Sequence, residues 1–281
     1  MKRIVVSGGA GFVGQHLVRN LVQSGERPIV IVRPDSDTSA LDALAENVDC
    51  WIYDGTYHSL QECFTKWDIG TVYHLATRFL ADHQPDDIDD LIESNITFGV
   101  KLADVMTKNG VGKFINASTS WQYYHSEEYR PLNLYAALKR AFEDTLAYYS
   151  DAKNLRVANV ILFDNYGEND QRPKLIPLLL SKKLGDTTVE LSPGQQLMDI
   201  VHVDQVAGAL LTASRRLDQG GEKFRRYIAA SGRPQHLREV VKGFCELHGI
   251  QPDLNWGAKD YREREVFEIM IYERFENLLT S

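Results

Sequence analysis

Residues 3–14 read Arg3-Ile4-Val5-Val6-Ser7-Gly8-Gly9-Ala10-Gly11-Phe12-Val13-Gly14, a β-branched run that passes through glycines into an amphipathic segment. Gly8, Gly11 and Gly14 fit G-x-x-G-x-x-G, and Gly9, Gly11 and Gly14 fit G-x-G-x-x-G. A strand that turns sharply into a helix needs such residues, because backbone without Cβ atoms can approach a pyrophosphate at the helix N-terminus. The pattern alone is weak, but a strand before it and a helix after it are the required context. The expected contacts of a bound dinucleotide are Gly8, Gly11, Phe12, Val13 and Gly14.

Beyond this turn the chain keeps alternating. Strands are expected at Arg3–Val6, Ile29–Val32, Cys50–Tyr53, Thr71–Leu75, Lys113–Ala117 and Val157–Phe163. Helices are expected at Phe12–Ser24, Ser59–Lys66, Ile92–Asn109 and Leu134–Ala152. Short β-branched runs between helical segments imply an α/β fold, a Rossmann-type doubly wound parallel sheet. Residues 1–163 form that domain. Residues 164–281 read mainly as a smaller substrate-binding lobe, with helices at Lys174–Leu184, Val203–Arg215 and Leu237–His248. Segments around 197–229, including a strand at Phe224–Ala229, are expected to return to the main sheet.

Composition narrows the function. The 281 residues carry a net charge of −8, which argues against nucleic acid as a partner, since phosphates need concentrated Lys and Arg. Arg215-Arg216 and Arg225-Arg226 read as solvated faces. Cys50, Cys63 and Cys245 lack metal-ligand spacing, as do the scattered histidines, so no metal site is expected. The run Asp86-Asp87-Ile88-Asp89-Asp90 reads as the solvated approach to a helix starting at Ile92. The first residues are too few and too mixed for a signal h-region, and no apolar run spans a bilayer. A cytoplasmic protein with no membrane contact is expected.

The end of the second strand bears on the cofactor. An acidic side chain there accepts from the ribose 2′-OH of NAD, whereas Val32-Arg33-Pro34 places a guanidinium suited to a 2′-phosphate. NADP(H) is favoured, with NAD(H) open because Asp35 follows closely.

Redox chemistry at an alcohol or ketone also needs a proton carrier, which a phenol can be if a cation stands beside it. Tyr and Lys four apart on a helix share a face. That spacing occurs at Tyr135/Lys139 and again at Tyr149/Lys153. Only Tyr135 opens a helix beside the hydroxyl cluster Ser118-Thr119-Ser120 at the end of the fifth strand; the second pair reads as packing and surface.

With these residues assembled, the chain resembles the extended short-chain dehydrogenases/reductases, the NAD-dependent epimerase/dehydratase family. The likeness runs through the glycine turn, Asp54-Gly55, Tyr73-His74-Leu75-Ala76, Asn95, Ser118-Thr119-Ser120, Tyr135/Lys139, Tyr166-Gly167 and 194–204. It implies Tyr135 as general acid/base, with Lys139 holding the nicotinamide ribose and lowering the Tyr135 pKa, and Thr119 polarising a carbonyl. It implies adenine contact by Asp54 with Gly55, cofactor backbone contact by Leu75, Ala76 and Thr77, and support of the nicotinamide loops by Asn95. Substrate contacts would come from Thr77, Thr119, Ser120, Trp121, Asp164, Gln196 and Arg262. His74 would pack beneath the cofactor, and Tyr123, Tyr124 and His125 would join Trp121 in a pocket wall or in packing.

Within the family, 4,6-dehydratases carry Asp-Glu after the catalytic Thr; Ser120-Trp121 here argues against dehydration. The resemblance is greatest to nucleotide-sugar 4-ketoreductases of the CDP-abequose and CDP-paratose type, which implies NADPH-dependent reduction of a 4-keto-6-deoxy sugar nucleotide. An NAD-dependent 4-epimerase using the same residues is the alternative, and a non-catalytic dinucleotide sensor a further one. Met198, Ile161 and Glu168 stand where the family often has Arg, Arg and Pro, leaving Arg262, Arg172 or Lys174 for a diphosphate. The chain also ends sooner than the resemblance leads one to expect. A homodimer is implied, pairing helices 92–109 and 134–150 through residues such as Leu134, Leu138, Phe142, Leu146 and Tyr149.

Overall fold

In the computed structural model, which describes residues 2–168, 170, 172, 174–180 and 188–279, the glycine run leaves a strand and enters a helix. The first half is β1 (Arg3–Ser7), α1 (Phe12–Gln23), β2 (Ile29–Val32), β3 (Asp49–Ile52), α2 (Tyr57–Lys66), β4 (Ile69–His74), α3 (Ile88–Ile92), α4 (Phe98–Lys108), β5 (Lys113–Thr119), α5 (Leu134–Lys153) and β6 (Arg156–Leu162). Then follow β7 (Asp164–Tyr166), α6 (Leu175–Leu180), β8 (Val189–Leu191), β9 (Leu197–Met198), β10 (Ile200–His202), α7 (Val203–Asp218), β11 (Phe224–Ala229), β12 (Gln235–His236), α8 (Leu237–His248), β13 (Leu254–Trp256) and β14 (Glu276–Asn277).

Eight strands form one sheet in the order β14-β11-β6-β5-β4-β1-β2-β3, with every neighbouring pair parallel. The chain winds outward from β1 to β3 and then returns to β4. A crevice therefore opens at the carboxyl ends of β1 and β4. Alternate faces of the strands feed two cores: Val5, Val72 and Phe114 meet Phe64, Leu102, Phe142 and Leu146 from α2, α4 and α5. Val6, Val30 and Ala158 meet Leu17, Val18, Leu210 and Leu217 from α1 and α7. Burial on both faces explains why the strands read as apolar runs rather than as alternation.

The second half is less separate than its sequence suggests. β11 pairs with β6 in the main sheet, α7 packs against the same core as α1, and β14 also joins the sheet edge, beside β11. The small lobe is left to α6, α8 and the β8–β13 pair, around Ile176, Leu179, Leu237, Val241 and Phe244. Of the helix expected at Lys174–Leu184, residues 175–180 are helical and 181–184 lie outside the described residues.

Other expectations need correction. The helix expected from Ile92 begins at Ile88, inside the acidic run, and Asp87 and Asp90 pair with Arg78 at 2.9 and 3.0 Å. Between α3 and α4, residues Glu93–Thr97 form a π turn. Leu138, Phe142, Leu146 and Tyr149 are buried within the chain itself, so their apolar character already has an intramolecular use. Arg216 and Arg225 meet Glu276, and Arg226 meets the fully buried Glu143, so these are not merely solvated faces.

Candidate active site

The crevice is a cavity of about 590 Å³ that the glycine turn enters from one end and the Tyr135 helix from the other. At the turn, a Cβ on Gly8 would lie 2.5 Å from the Ala76 nitrogen, and one on Gly14 2.0 Å from the Gly8 carbonyl oxygen. Gly8 also has φ +73°, a conformation open to glycine. The N-terminus of α1 has no side-chain cap and no acidic residue in its first turn. Its unpaired N–H groups thus face the cavity next to Gly11, which suits a pyrophosphate. His16 Nδ1, 2.6 Å from Asp204 Oδ1, ties α1 to α7 behind this turn.

At the other end, Asn133 caps α5 by accepting from the Ala136 N–H at 2.9 Å, while its Nδ2 donates to the Leu80 and Ala81 carbonyls. That clasp sets Tyr135 in the first helical turn, against the 77–81 loop. The phenol is hydrogen-bonded by Thr77 and Thr119. Burial pushes its pKa up to about 12, with both hydrogen bonds opposing. Lys139 is not among the groups that shift it, contrary to what the resemblance implies. Lys139 is itself buried, and burial pulls it down to about 8 against the attraction of Glu143.

Most of the expected site residues line this one cavity: Gly8, Gly11, Phe12, Val13, Gly14, Arg33, Leu75, Ala76, Thr77, Thr119, Ser120, Trp121, Tyr135, Lys139 and Asp164. Asn95 lies behind it, accepting from Thr77 Oγ1 at 2.5 Å and donating to the Arg78 carbonyl at 2.9 Å. Asp54 and Gly55 do not line it. Asp54 is engaged in an Asx turn, accepting from the Thr56 N–H and hydroxyl, and the ring of Tyr53 lines that wall instead. Gln196 is turned to Ser192 and lies outside the lining. Arg262 stands farther out, 6.0 Å from the Trp121 ring.

The sequence reading missed Phe79, whose ring meets Tyr135 and Trp121 edge-on at 5.1 and 5.3 Å and carries Lys174 at 5.4 Å. Arg172, expected only as a spare cation for a diphosphate, lies over Phe12 at 4.1 Å. No short motif marks either residue; both enter through loop geometry.

His74, expected beneath the cofactor, is fully buried, with Ser7 Oγ 2.7 Å from its Nδ1. Burial first, and Lys139 second, hold its pKa at about 3, below the ordinary 6.5. Between these values the unfolded chain takes up a proton that the folded one refuses, so stability is complete above pH 6.5 and falls as pH drops towards 3. Replacing His74 by Gln should flatten that acid limb, as read by urea unfolding from pH 7 to 4.

A cleft of this make belongs to NAD(P)-dependent enzymes of the extended short-chain dehydrogenase/reductase type. Residues 4–228 match the NAD dependent epimerase/dehydratase family, and the chain belongs to that family. A CDP-abequose synthase of Yersinia pseudotuberculosis is 27% identical over 267 residues, 94% of this chain and 90% of its own. A UDP-glucose 4-epimerase of Halalkalibacterium halodurans is 26% identical over 274 residues, 88% and 80% of the two chains. The solved UDP-glucose 4-epimerase of Thermus thermophilus, in complex with NAD, has a TM-score of 0.79 over 95% of this chain and 90% of its own, at 24% identity, a likeness of fold. Among the described residues, no helix is long and apolar enough to cross a membrane.

Proposed function

We propose that this enzyme reduces a 4-keto-6-deoxy sugar carried on a nucleotide, with NADPH as reductant. The observation that carries the reading is a phenol kept protonated at neutral pH, hydrogen-bonded to Thr119, and set in the same cavity as the glycine turn. A proton donor suits reduction. When bound, the reduced nicotinamide supplies a hydride to the carbonyl carbon. Tyr135 gives its phenolic proton to the carbonyl oxygen, and Thr119 hydrogen-bonds that oxygen and orients it. Lys139, buried in the same cavity, would hold the ribose hydroxyls of the bound cofactor. Trp121 and Phe79 would flank the sugar, while Lys174 beside Phe79 and Arg262 beside Trp121 offer the cations a diphosphate would need.

The similarity to CDP-abequose synthase supports the reductase reading, and the 4-epimerase relative keeps the second one in view. Heat-denatured enzyme separates them: the reductase should release no stoichiometric nucleotide and should oxidise added NADPH once per ketone reduced. Tightly retained NAD with no net NADPH consumption would make it an epimerase.

The choice of NADPH rests on Arg33, which lines the cavity with Asp35 3.5 Å away. Its side chain is 68% exposed, so solvent screens part of its charge. Arg33→Ser is expected to weaken NADPH binding roughly tenfold, towards the low end for a charge-assisted hydrogen bond, and to leave NADH unchanged. Fluorescence titration checks both. A homodimer would use the outer sides of α3 and α5, where Ile88, Ile92 and Tyr148 are exposed.

A further inference from the structure

Strands buried on both faces should be apolar throughout, yet one row across this sheet is polar. Ser7, His74, Asn116, Asn159 and Arg226 stand at matched positions on β1, β4, β5, β6 and β11. The first four are fully buried. From α5, Glu143 reaches this row, one helical turn beyond Lys139, and both are buried.

The hydrogen bonds run in one direction. Arg226 Nε donates to Glu143 Oε1, and Asn159 Nδ2 donates to Glu143 Oε2 at 2.8 Å. Both carboxylate oxygens accept, the arrangement of an ionised acid. With its amide nitrogen committed to Glu143, Asn159 turns its oxygen to Asn116 Nδ2, 2.6 Å away. Asn116 Oδ1 is then left buried with no partner, as is His74 Nε2. A partly satisfied polar row is worse for stability than an apolar one. Local rules are broken in this way mostly where function demands it.

We propose that Glu143, held by Asn159 and Arg226, is a positioning residue that keeps Lys139 charged beneath the bound dinucleotide. The inference rests on the reading of Lys139 as a cofactor contact. Burial acts against the ammonium, and Glu143 is the group that opposes it. His74 cannot do so: it is neutral, and the two groups only repel when it is charged. The charged and titratable groups around Glu143 are Arg226 from β11, Tyr123 after β5, and Lys139 and Arg140 on α5 itself; β6 contributes the neutral Asn159. Arg226, with a side chain 31% exposed, is where the row reaches solvent.

The test is the pH dependence of NADPH and NADH affinity, read from nicotinamide fluorescence, with circular dichroism as a check on folding. Affinity of the native enzyme should weaken through an inflection near pH 8, where Lys139 loses its proton, and Lys139→Met should abolish that inflection. Glu143→Gln should move it about one unit or more towards acid. Arg226→Gln keeps a donor for Glu143 but removes the cation, and should move it the other way. If Lys139→Met leaves the inflection in place, the role of Lys139 in cofactor binding is wrong. If Lys139→Met removes it while the other two variants leave it fixed, or shift it in the same direction, the role given to Glu143 is overturned. Should Glu143→Gln not fold, the alkaline shift in Arg226→Gln decides alone.

Discussion

Tyr135→Phe is expected to fold normally, bind NADPH as the native enzyme does, and lose turnover by about 10²–10⁴-fold, the range for removal of a general acid. The ring itself stays. Its edge contact with Phe79 and its place in the first turn of α5 do not need the hydroxyl. What goes is the proton donor and its hydrogen bonds to Thr77 and Thr119. The check is steady-state kinetics beside a binding titration. An unchanged kcat would dismiss the phenol as the acid and favour the sensor.

Gly14→Ala adds a methyl where, among the described glycines, it has the least room. The added carbon would sit 2.0 Å from the Gly8 carbonyl oxygen and 2.7 Å from Gly9 Cα, all backbone, so no side chain can swing aside. Either α1 lifts off β1 or the turn opens. Overpacking of this kind costs about 1–3 kcal/mol, and distortion of the turn should cut dinucleotide affinity at least about tenfold, the equivalent of 1.4 kcal/mol. Gly11→Ala is the contrast. There the methyl meets only the Gly8 oxygen, at 3.2 Å. Stability should hold while affinity falls, because the carbon projects where a pyrophosphate would pass. Thermal unfolding and NADPH titration on both variants separate the two effects.

Those two glycines show why so many of the residues that line the cavity could be picked from the sequence. A turn that admits no Cβ leaves its trace in adjacent residues, and the Tyr135/Lys139 pair needs only one helical turn, so both signals are local. Being next to a strand end does not settle which way a side chain faces: the Thr56 N–H and hydroxyl hold Asp54, and Tyr53 lines the cavity wall. Phe79 and Lys174 reach the cavity from separate segments, with Arg262 farther out beside Trp121, a meeting that no window of sequence contains. The row from Ser7 to Arg226 was hidden for the same reason. Each member is one polar residue in an otherwise apolar strand, and only the register aligns them. β14 escaped because a two-residue strand has no period to detect.

The π turn at Glu93–Thr97 holds one residue more than a regular helix would place there. That extra residue works as a rotational shim. Each residue turns an α-helix by about 100°, so deleting one from this segment would restore ideal winding while spinning Asn95 away from the Thr77 hydroxyl and the Arg78 carbonyl that it grips. A designer who straightened this helix to gain stability would release the loop that carries Thr77, and with it one of the two hydroxyls that orient the phenol.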